Sequence, residues 1–539
     1  TRSMSRTPFT RRAALASGAA LASTAVLASC GGDSDEVDTL EQIENPDENL
    51  TPEGMPIATE KITIDFLSAR PSTTAEDWNE VSVIQATEEL TNVHIDFGLV
   101  PQDGAAERRN LALSSGDYPS AFYRNGVGTG DLATYGERGT FIPLNDLLEQ
   151  HMPNLTALME ESPQIREGLT FPDGNIYSTP QIYDPSFPGL RYMFKLFARQ
   201  DWLDRFGMTV PETTEEFEAY LEESVNTIDG AIGLTDPVNL GETYPTLYGT
   251  FGVANQGTAA GQIDLDPDTG KVRYFPLSDG YREMMEYLHG LYSKGLIPAD
   301  IFSSDRATFT AQGSDGLLAA CATAAPAGYF GAEGENYVVV PPLVQNAGDT
   351  PVWHAVRSEL ASIGHFVMTD RCEHPVALAR WMDYWYSEEG ARQFFLGNEG
   401  DSWEEVDGEY QLLPEITEGQ SVDDGLKPHS IFMGGSYPGW VTQRWFGGVE
   451  SMPQAMETSE AMEPYAIPEV WSAFTFTPEE SDVLGTVGAE IGKYLGEARA
   501  GFITGQTPLS EWDTFVQTLQ DIGLNEFMEI QQAAYDRRQ

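Results

Sequence analysis

Apolar and polar residues alternate over 62–67, with Ile62, Ile64 and Phe66 set against Thr63 and Asp65, which is the period of a half-buried strand. A helical stretch follows at 77–90, and the alternation returns at 93–97. A second helix is expected at 105–113 and a third strand at 120–124, ahead of the glycine-rich 125–130. Strands alternating with helices predict a mainly parallel α/β sheet covered on both faces. Ligands of such sheets bind at the loops past the strand C-termini, so 68–73 and 124–129 are expected to line one wall of a site.

A helix is expected near 145–151, and 171–180 reads as a β-turn leading into a strand. Residues 192–198 are aromatic and apolar enough for a buried strand. Trp202, Leu203 and Phe206 then recur at helical spacing until Gly207 stops the helix, and Asp201 is its candidate cap. Trp202 shares a helix face with Phe206 and is assigned to packing. Thr213 or Thr214 can cap the next helix, where Phe217 and Leu221 lie four apart on one face. A helix at 279–294, strands at 316–322 and 358–368 and a helix at 374–386 continue the α/β pattern.

The chain has 539 residues, well beyond the roughly 250 to 300 at which one hydrophobic core stops growing, so at least two lobes are expected. A content of 41% hydrophobic and 11% aromatic residues is that of a folded globular protein. The N-terminus differs in kind. Arg6, Arg11 and Arg12 precede an apolar run over 13–28, which is shorter than the ~20 residues of a membrane-spanning helix and reads as a secretion signal. It ends in Leu27-Ala28-Ser29-Cys30, followed by two glycines. The Arg11-Arg12 pair fits either a twin-arginine signal or an ordinary basic leader. The acidic stretch over 30–60, with Pro46, Pro52 and Pro56, reads as a flexible tether reaching about 30 Å.

Formal charge is −54, and removal of residues 1–29 takes away four arginines and no acids, leaving 26 basic against 84 acidic residues, or −58. Such a surface repels nucleic acid and anionic lipid. Neither is expected as a partner of the folded part. Besides Cys30 there are two cysteines, Cys321 and Cys372, whose spacing leaves a disulfide and two buried thiols equally open.

From Arg199 to Thr213 the chain reads Arg-x-Asp-Trp-Leu-x-x-x-Gly-x-x-x-Pro-x-Thr in outline, which resembles the passage into the second lobe of the extracellular solute-binding proteins of family 1. Similar segments are Tyr281 with Met285, Leu288 and Leu291 up to Gly295, the 395–400 turn with Tyr410, and the C-terminal run with Phe502-Ile-Thr-Gly505, Trp512-Asp513, Gly523-Leu524 and Ala534-Tyr-Asp-Arg537. The resemblance covers most of the chain from Ile62 onward and is patchy over 225–262. It implies a two-lobed periplasmic-binding-protein-like fold of type II, each lobe a mainly parallel sheet flanked by helices, with ligand in the interlobe cleft. The implied divisions are a lipoprotein signal peptide over 1–29, the acidic tether over 30–60, a first lobe over 61–180 plus 343–415, and a second over 181–342 plus 416–539. It implies hinge segments near 177–191 and 343–364. The Leu27 to Cys30 segment resembles the lipobox of bacterial lipoproteins, which implies a lipidated Cys30 as the membrane anchor on the outer face of the cell. Function, by the same resemblance, is capture of a carbohydrate, in particular an oligosaccharide, by a monomeric subunit that delivers it to the permease of an ABC importer. No reaction, cofactor or metal is expected. The competing classes are a secreted carbohydrate-active enzyme and a scaffold lipoprotein.

Motifs for other chemistry are weak. Asp264, Asp266 and Asp268 begin like a calcium loop, but the glycine comes late and the twelfth position is Phe275, so a solvent-facing turn is expected. Over 226–233, where some alginate-binding relatives hold calcium, the acids that would coordinate it are missing. Gly128-x-Gly130-x-x-Ala133 is a loosened dinucleotide fingerprint after the wrong strand, which leaves a cleft-edge loop. Sugar rings present apolar faces and polar edges, so aromatics in loops are the informative candidates. They are Trp78, Tyr123 and Tyr183, then Tyr244, Phe251 and Phe330, and finally Trp353, Trp440 and Trp445. Trp440 and Trp445 stand out, because 434–448 is glycine-rich and offers little core. The scarce cations Arg70, Arg124 and Arg357 lie near strand ends and suit a hydroxyl or carboxylate.

Overall fold

The computed structural model describes residues 39–418, 421–432 and 437–539. The expected signal segment over 1–29, Cys30 and the start of the expected tether lie outside the described residues.

Among the described residues fifteen strands form two principal sheets and two hairpins. In chain order they are β1 (Ile62–Arg70), β2 (Val93–Asp96), β3 (Leu99–Pro101), β4 (Ala121–Tyr123), β5 (Thr179–Tyr183), β6 (Lys195–Arg199), β7 (Ile232–Thr235), β8 (Ile263–Leu265), β9 (Val272–Tyr274), β10 (Leu318–Thr323), β11 (Tyr337–Val339), β12 (Leu360–Met368), β13 (Trp403–Val406), β14 (Glu409–Leu412) and β15 (Gly439–Val441). The larger sheet runs β15-β5-β12-β4-β1-β2, with β3 also paired to β1, and the smaller runs β11-β6-β10-β7. The hairpins are β8–β9 and β13–β14.

Each principal sheet contains one reversed strand: β12 is antiparallel to β4 and β5, and β6 is antiparallel to β10 and β11. Both are the first strand after the chain crosses between sheets. A chain that leaves one sheet from its strand C-termini enters the other from the same side, so its first strand must run away from that side. The remaining strands then point their C-termini toward the region between the sheets, where α/β folds bind ligands. Crossings occur over 184–194 and 340–359, which overlap the expected hinge segments, and again after β15.

Alternation assigns the faces as predicted. Ile62, Ile64, Phe66, Tyr123 and Phe366 enter one core, while Leu67, Phe122 and Val367 enter another on the opposite face. In the smaller sheet Leu196 and Ala198 face one core, and Phe197 and Cys321 the other. Thr213 closes the helix Thr214–Thr227 with a capping box to Glu216, and Gly207 ends the preceding helix at φ 69°. Asp201 does not cap; it takes two hydrogen bonds from the Arg199 guanidinium, each 2.9 Å.

Two expectations change. Residues 39–60 were grouped with a free tether, yet they pack on the body. Ile43, Ile57 and Ala58 are buried in the larger core, and the Thr39 hydroxyl donates to the carbonyl oxygens of Asp370 (2.8 Å) and Cys372 (3.1 Å). Arg380 also donates to the Thr51 and Gly54 carbonyls. Few apolar residues suffice when the rest of the segment binds through its backbone. The second change concerns β15, which pairs in parallel with β5 in the larger sheet although 416–539 was grouped with the second lobe. Tyr437, Val441, Trp445 and Met456 join the larger core, and the smaller core resumes at Trp471.

Candidate functional site

A cavity of about 410 Å³ opens where the crossings meet the strand ends. One wall comes from the larger sheet: Gln181 and Tyr183 at the end of β5, Val441 at the end of β15, and Tyr437 and Phe446 flanking that strand. Met193 and Phe194 on the first crossing and Ala355 and Arg357 on the second form its floor, and Pro245 and Thr258 close it from the side of the smaller sheet. Its volume is within the usual range for small-ligand sites. A larger cavity, about 770 Å³, lies between the helices Pro153–Glu161, Pro163–Leu169 and Leu524–Arg538, away from the strand C-termini.

Hydrogen bonding prearranges the cavity. The Arg357 guanidinium lies over the Tyr183 ring, 4.7 Å from its centroid, and donates to the Tyr183 hydroxyl at 3.0 Å. This orients an aromatic face and leaves guanidinium N–H groups for a ligand. Behind Tyr437, Arg124 is buried with its guanidinium 5.7 Å from that ring and 5.3 Å from the Trp78 ring, and it donates to the Ile431 carbonyl. Burial lowers its pKa to about 10. Arg124 takes a left-handed backbone conformation, φ 57°, as the chain turns out of β4. Gly364 in β12 stands beside this turn: Val127 donates its N–H to the Gly364 carbonyl at 2.8 Å, and a Cβ on Gly364 would lie 1.9 Å from the Val127 oxygen.

Two more ionisable groups feel the charge of Glu450, which lines the cavity. Lys195 is fully buried and donates to the carbonyls of Tyr192 (3.1 Å) and Met193 (3.3 Å) and to the Ser459 hydroxyl (2.8 Å). Burial pulls its pKa down to about 7, partly opposed by the negative charge of Glu450, which lines the cavity. Glu242 is buried, and its carboxyl is pushed up to about 8, first by burial and then by Asp236, with Arg306 opposing.

No family model matches the chain. The fructooligosaccharide ABC transporter substrate-binding protein FusA of Streptococcus pneumoniae is 28% identical over 519 residues, 92% of this chain and 94% of FusA. The solved structure of FusA in complex with kestose superposes with a TM-score of 0.71 at 27% identity, covering 88% of this chain and 99% of that one. The chain is a homologue of ABC-transporter substrate-binding proteins. An extracellular solute-binding protein of Bifidobacterium longum subsp. infantis shares the fold, with a TM-score of 0.75 at 22% identity over 89% of this chain and 98% of that one. A shorter match, 24% identity over 218 residues, 40% of this chain and 41% of the relative, is to the polygalacturonan/rhamnogalacturonan-binding protein YtcQ of Bacillus subtilis.

In this substrate-binding-protein homologue the cavity unites only two of the candidate residues named from sequence, Tyr183 and Arg357. Trp78 and Tyr123 are buried in the larger core. Tyr244 and Phe251 are buried in the smaller core, Phe330 is packed on Phe309, and Trp353 lies in a small cluster with Tyr192 and Met462. Trp445 is buried, 2% exposed, edge-on to the half-buried Trp440 at 5.6 Å. Pairing of β15 with β5 supplies the core that the glycine-rich composition of 434–448 did not advertise. Arg70 is half-buried at the end of β1.

Gln181, Tyr437, Phe446 and Glu450 were missed. The first belongs to a strand and the others flank one of three residues, and nothing local marks them as neighbours. Among the described residues no group of three or more His, Cys, Asp or Glu side chains is placed to hold a metal ion. Asp264 is buried against Arg273 (2.6 Å), and Asp266 accepts from the N–H groups of Asp268 and Thr269 in a turn. Cys321 and Cys372 are free buried thiols. No helix among the described residues is long and apolar enough to cross a membrane.

Proposed function

We propose that this protein is the substrate-binding subunit of an ABC importer, which captures an oligosaccharide between two lobes and passes it to a permease. The observation that carries the reading is homology to a fructooligosaccharide-binding subunit over 92% of the chain, together with a cavity at the strand ends where the two sheets meet. Tyr183, Tyr437 and Phe446 offer flat apolar faces to sugar C–H groups, while Gln181, Thr258, Arg357 and Glu450 offer donors and acceptors to hydroxyls. Ligand bridging both walls would favour the closed arrangement by its differential affinity.

Membership of solute-binding family 1, capture without chemistry or cofactor, a monomeric state, and anchoring through Cys30 outside the cell belong to the same reading. The first lobe in this reading comprises the larger sheet with 39–60 and the segment around β15, and the second comprises the smaller sheet and the C-terminal helices. Titration of tryptophan fluorescence with a panel of oligosaccharides, followed by chromatography of the mixtures, tests it. Saturable binding with intact sugars is expected. Product formation would convert the reading to an enzyme, and absence of binding across the panel would overturn it.

A further inference from the structure

Two relatives of this chain differ in the charge of what they bind: FusA is named for neutral fructooligosaccharides and YtcQ for acidic polygalacturonan. The cavity residues of this chain bear on that choice. Its described lining contains two formal charges of opposite sign, Arg357 on the second crossing and Glu450 after β15. Neither has an ion-pair partner within 4.0 Å among the described residues. Arg357 uses one N–H on the Tyr183 hydroxyl and another on the Met193 sulfur, each 3.0 Å, and keeps further donors. Glu450 is half-buried, and its carboxylate is an acceptor-only group facing the cavity. Lys195 lies beyond direct contact with it and already donates to two carbonyls and a hydroxyl.

We infer that the cleft takes uncharged oligosaccharides and that Glu450 is the residue that rejects acidic ones. The inference rests on the carbohydrate-binding reading above. A neutral sugar carries hydroxyls that both donate and accept, so it can donate to Glu450 and accept from Arg357 without bringing charge into the cavity. A uronate brings a carboxylate on every ring. Where one approaches Glu450, two like charges meet at close range, which disfavours that pose. The long-range field has the same sign, because the whole chain carries −54. Arg357, the one cation in the described lining, can pair with at most one such carboxylate, which leaves those on the other rings without a partner there.

The test compares trisaccharides of equal length, kestose and other neutral trisaccharides against trigalacturonate, by calorimetry on the wild-type chain and on Glu450→Gln. Wild type is expected to favour its best neutral ligand over trigalacturonate by about 100-fold or more, and Glu450→Gln to narrow that ratio by about tenfold, the size of one close charge contact. Arg357→Gln, as a control, should weaken neutral binding without narrowing the ratio. Equal or tighter wild-type binding of trigalacturonate would overturn the inference while leaving the carbohydrate reading intact, and so would an unchanged ratio in Glu450→Gln. If that variant does not fold, the wild-type ratio decides, together with its expected narrowing between low and high salt. Wild type that binds no sugar of either class would remove the reading itself.

Discussion

Lys195 and Ser459 join the first and third chain crossings: the buried ammonium donates to the Ser459 hydroxyl at 2.8 Å, and both groups reach the Tyr192 carbonyl, at 3.1 and 3.3 Å. Burial is the main cause of the lowered lysine pKa, about 7, and Glu450 opposes it weakly. In an unfolded chain a lysine titrates near 10.4, so between about pH 7 and 10 the unfolded state binds more protons than the native state. This group therefore makes stability rise with pH across that window, by at most about 1.4 kcal/mol per unit. Urea unfolding at pH 7 and 9 should show the rise, and Lys195→Met should flatten it. An equal slope in the variant would remove Lys195 as its source.

The Tyr183 hydroxyl accepts from Arg357 in the cavity wall. Tyr183→Phe keeps the ring beneath the guanidinium and deletes one hydrogen bond. Stability should change little, and affinity for the preferred oligosaccharide should fall by about fivefold, the equivalent of about 1 kcal/mol. Fluorescence titration and thermal melting of the same sample separate the two quantities.

Trp445 and Trp440 meet edge-on but differ in burial. Trp445→Ala should lower stability by about 3 to 5 kcal/mol through lost transfer energy and a cavity. Trp440 packs only partly against the same core and should cost less. Denaturant midpoints for the two variants check the order.

Cys321 and Cys372 lie in different sheet regions, and burial raises both thiols, Cys372 to about 12. In a Cys30→Ser background both should be silent to a thiol reagent in buffer and react only in denaturant. Rapid labelling of the native protein would show that one of them is accessible.

Cys30→Ala should move the protein from the membrane fraction to the medium. One lipid chain gives only marginal attachment, so more than one is expected on the wild-type residue. Mass spectrometry of the N-terminal peptide and fractionation of both variants decide it.

The strands and their faces were legible from sequence because period-two alternation over 62–67 and apolar runs such as 192–198 are local signals. Gly207 and Thr213 were legible for the same reason, since a left-handed stop and a capping box involve only near neighbours. The site was less so. Trp78 and Trp353 sit in loop-like contexts, and only long-range packing makes them core. Glu450 and Gln181 are 269 positions apart and share one cavity, a proximity that the crossings create and no local pattern encodes. Residues 39–60 were misjudged because composition weighs their acids and prolines, whereas docking depends on Ile43, Ile57 and a few backbone hydrogen bonds.

The repeated crossing also governs how such a chain can assemble as it emerges from its N-terminal end. Strand β12 lies in the middle of the larger sheet, between β5 and β4, yet it is supplied by residues 360–368. Until they arrive, β4 and β5 are two unpaired edges, the kind of template on which other chains pair and aggregate. The smaller core waits longer, for Phe502, Trp512 and Leu524. Neither half is complete in sequence before the other has begun, so a fragment that ends before residue 360 lacks the strand that joins β4 to β5.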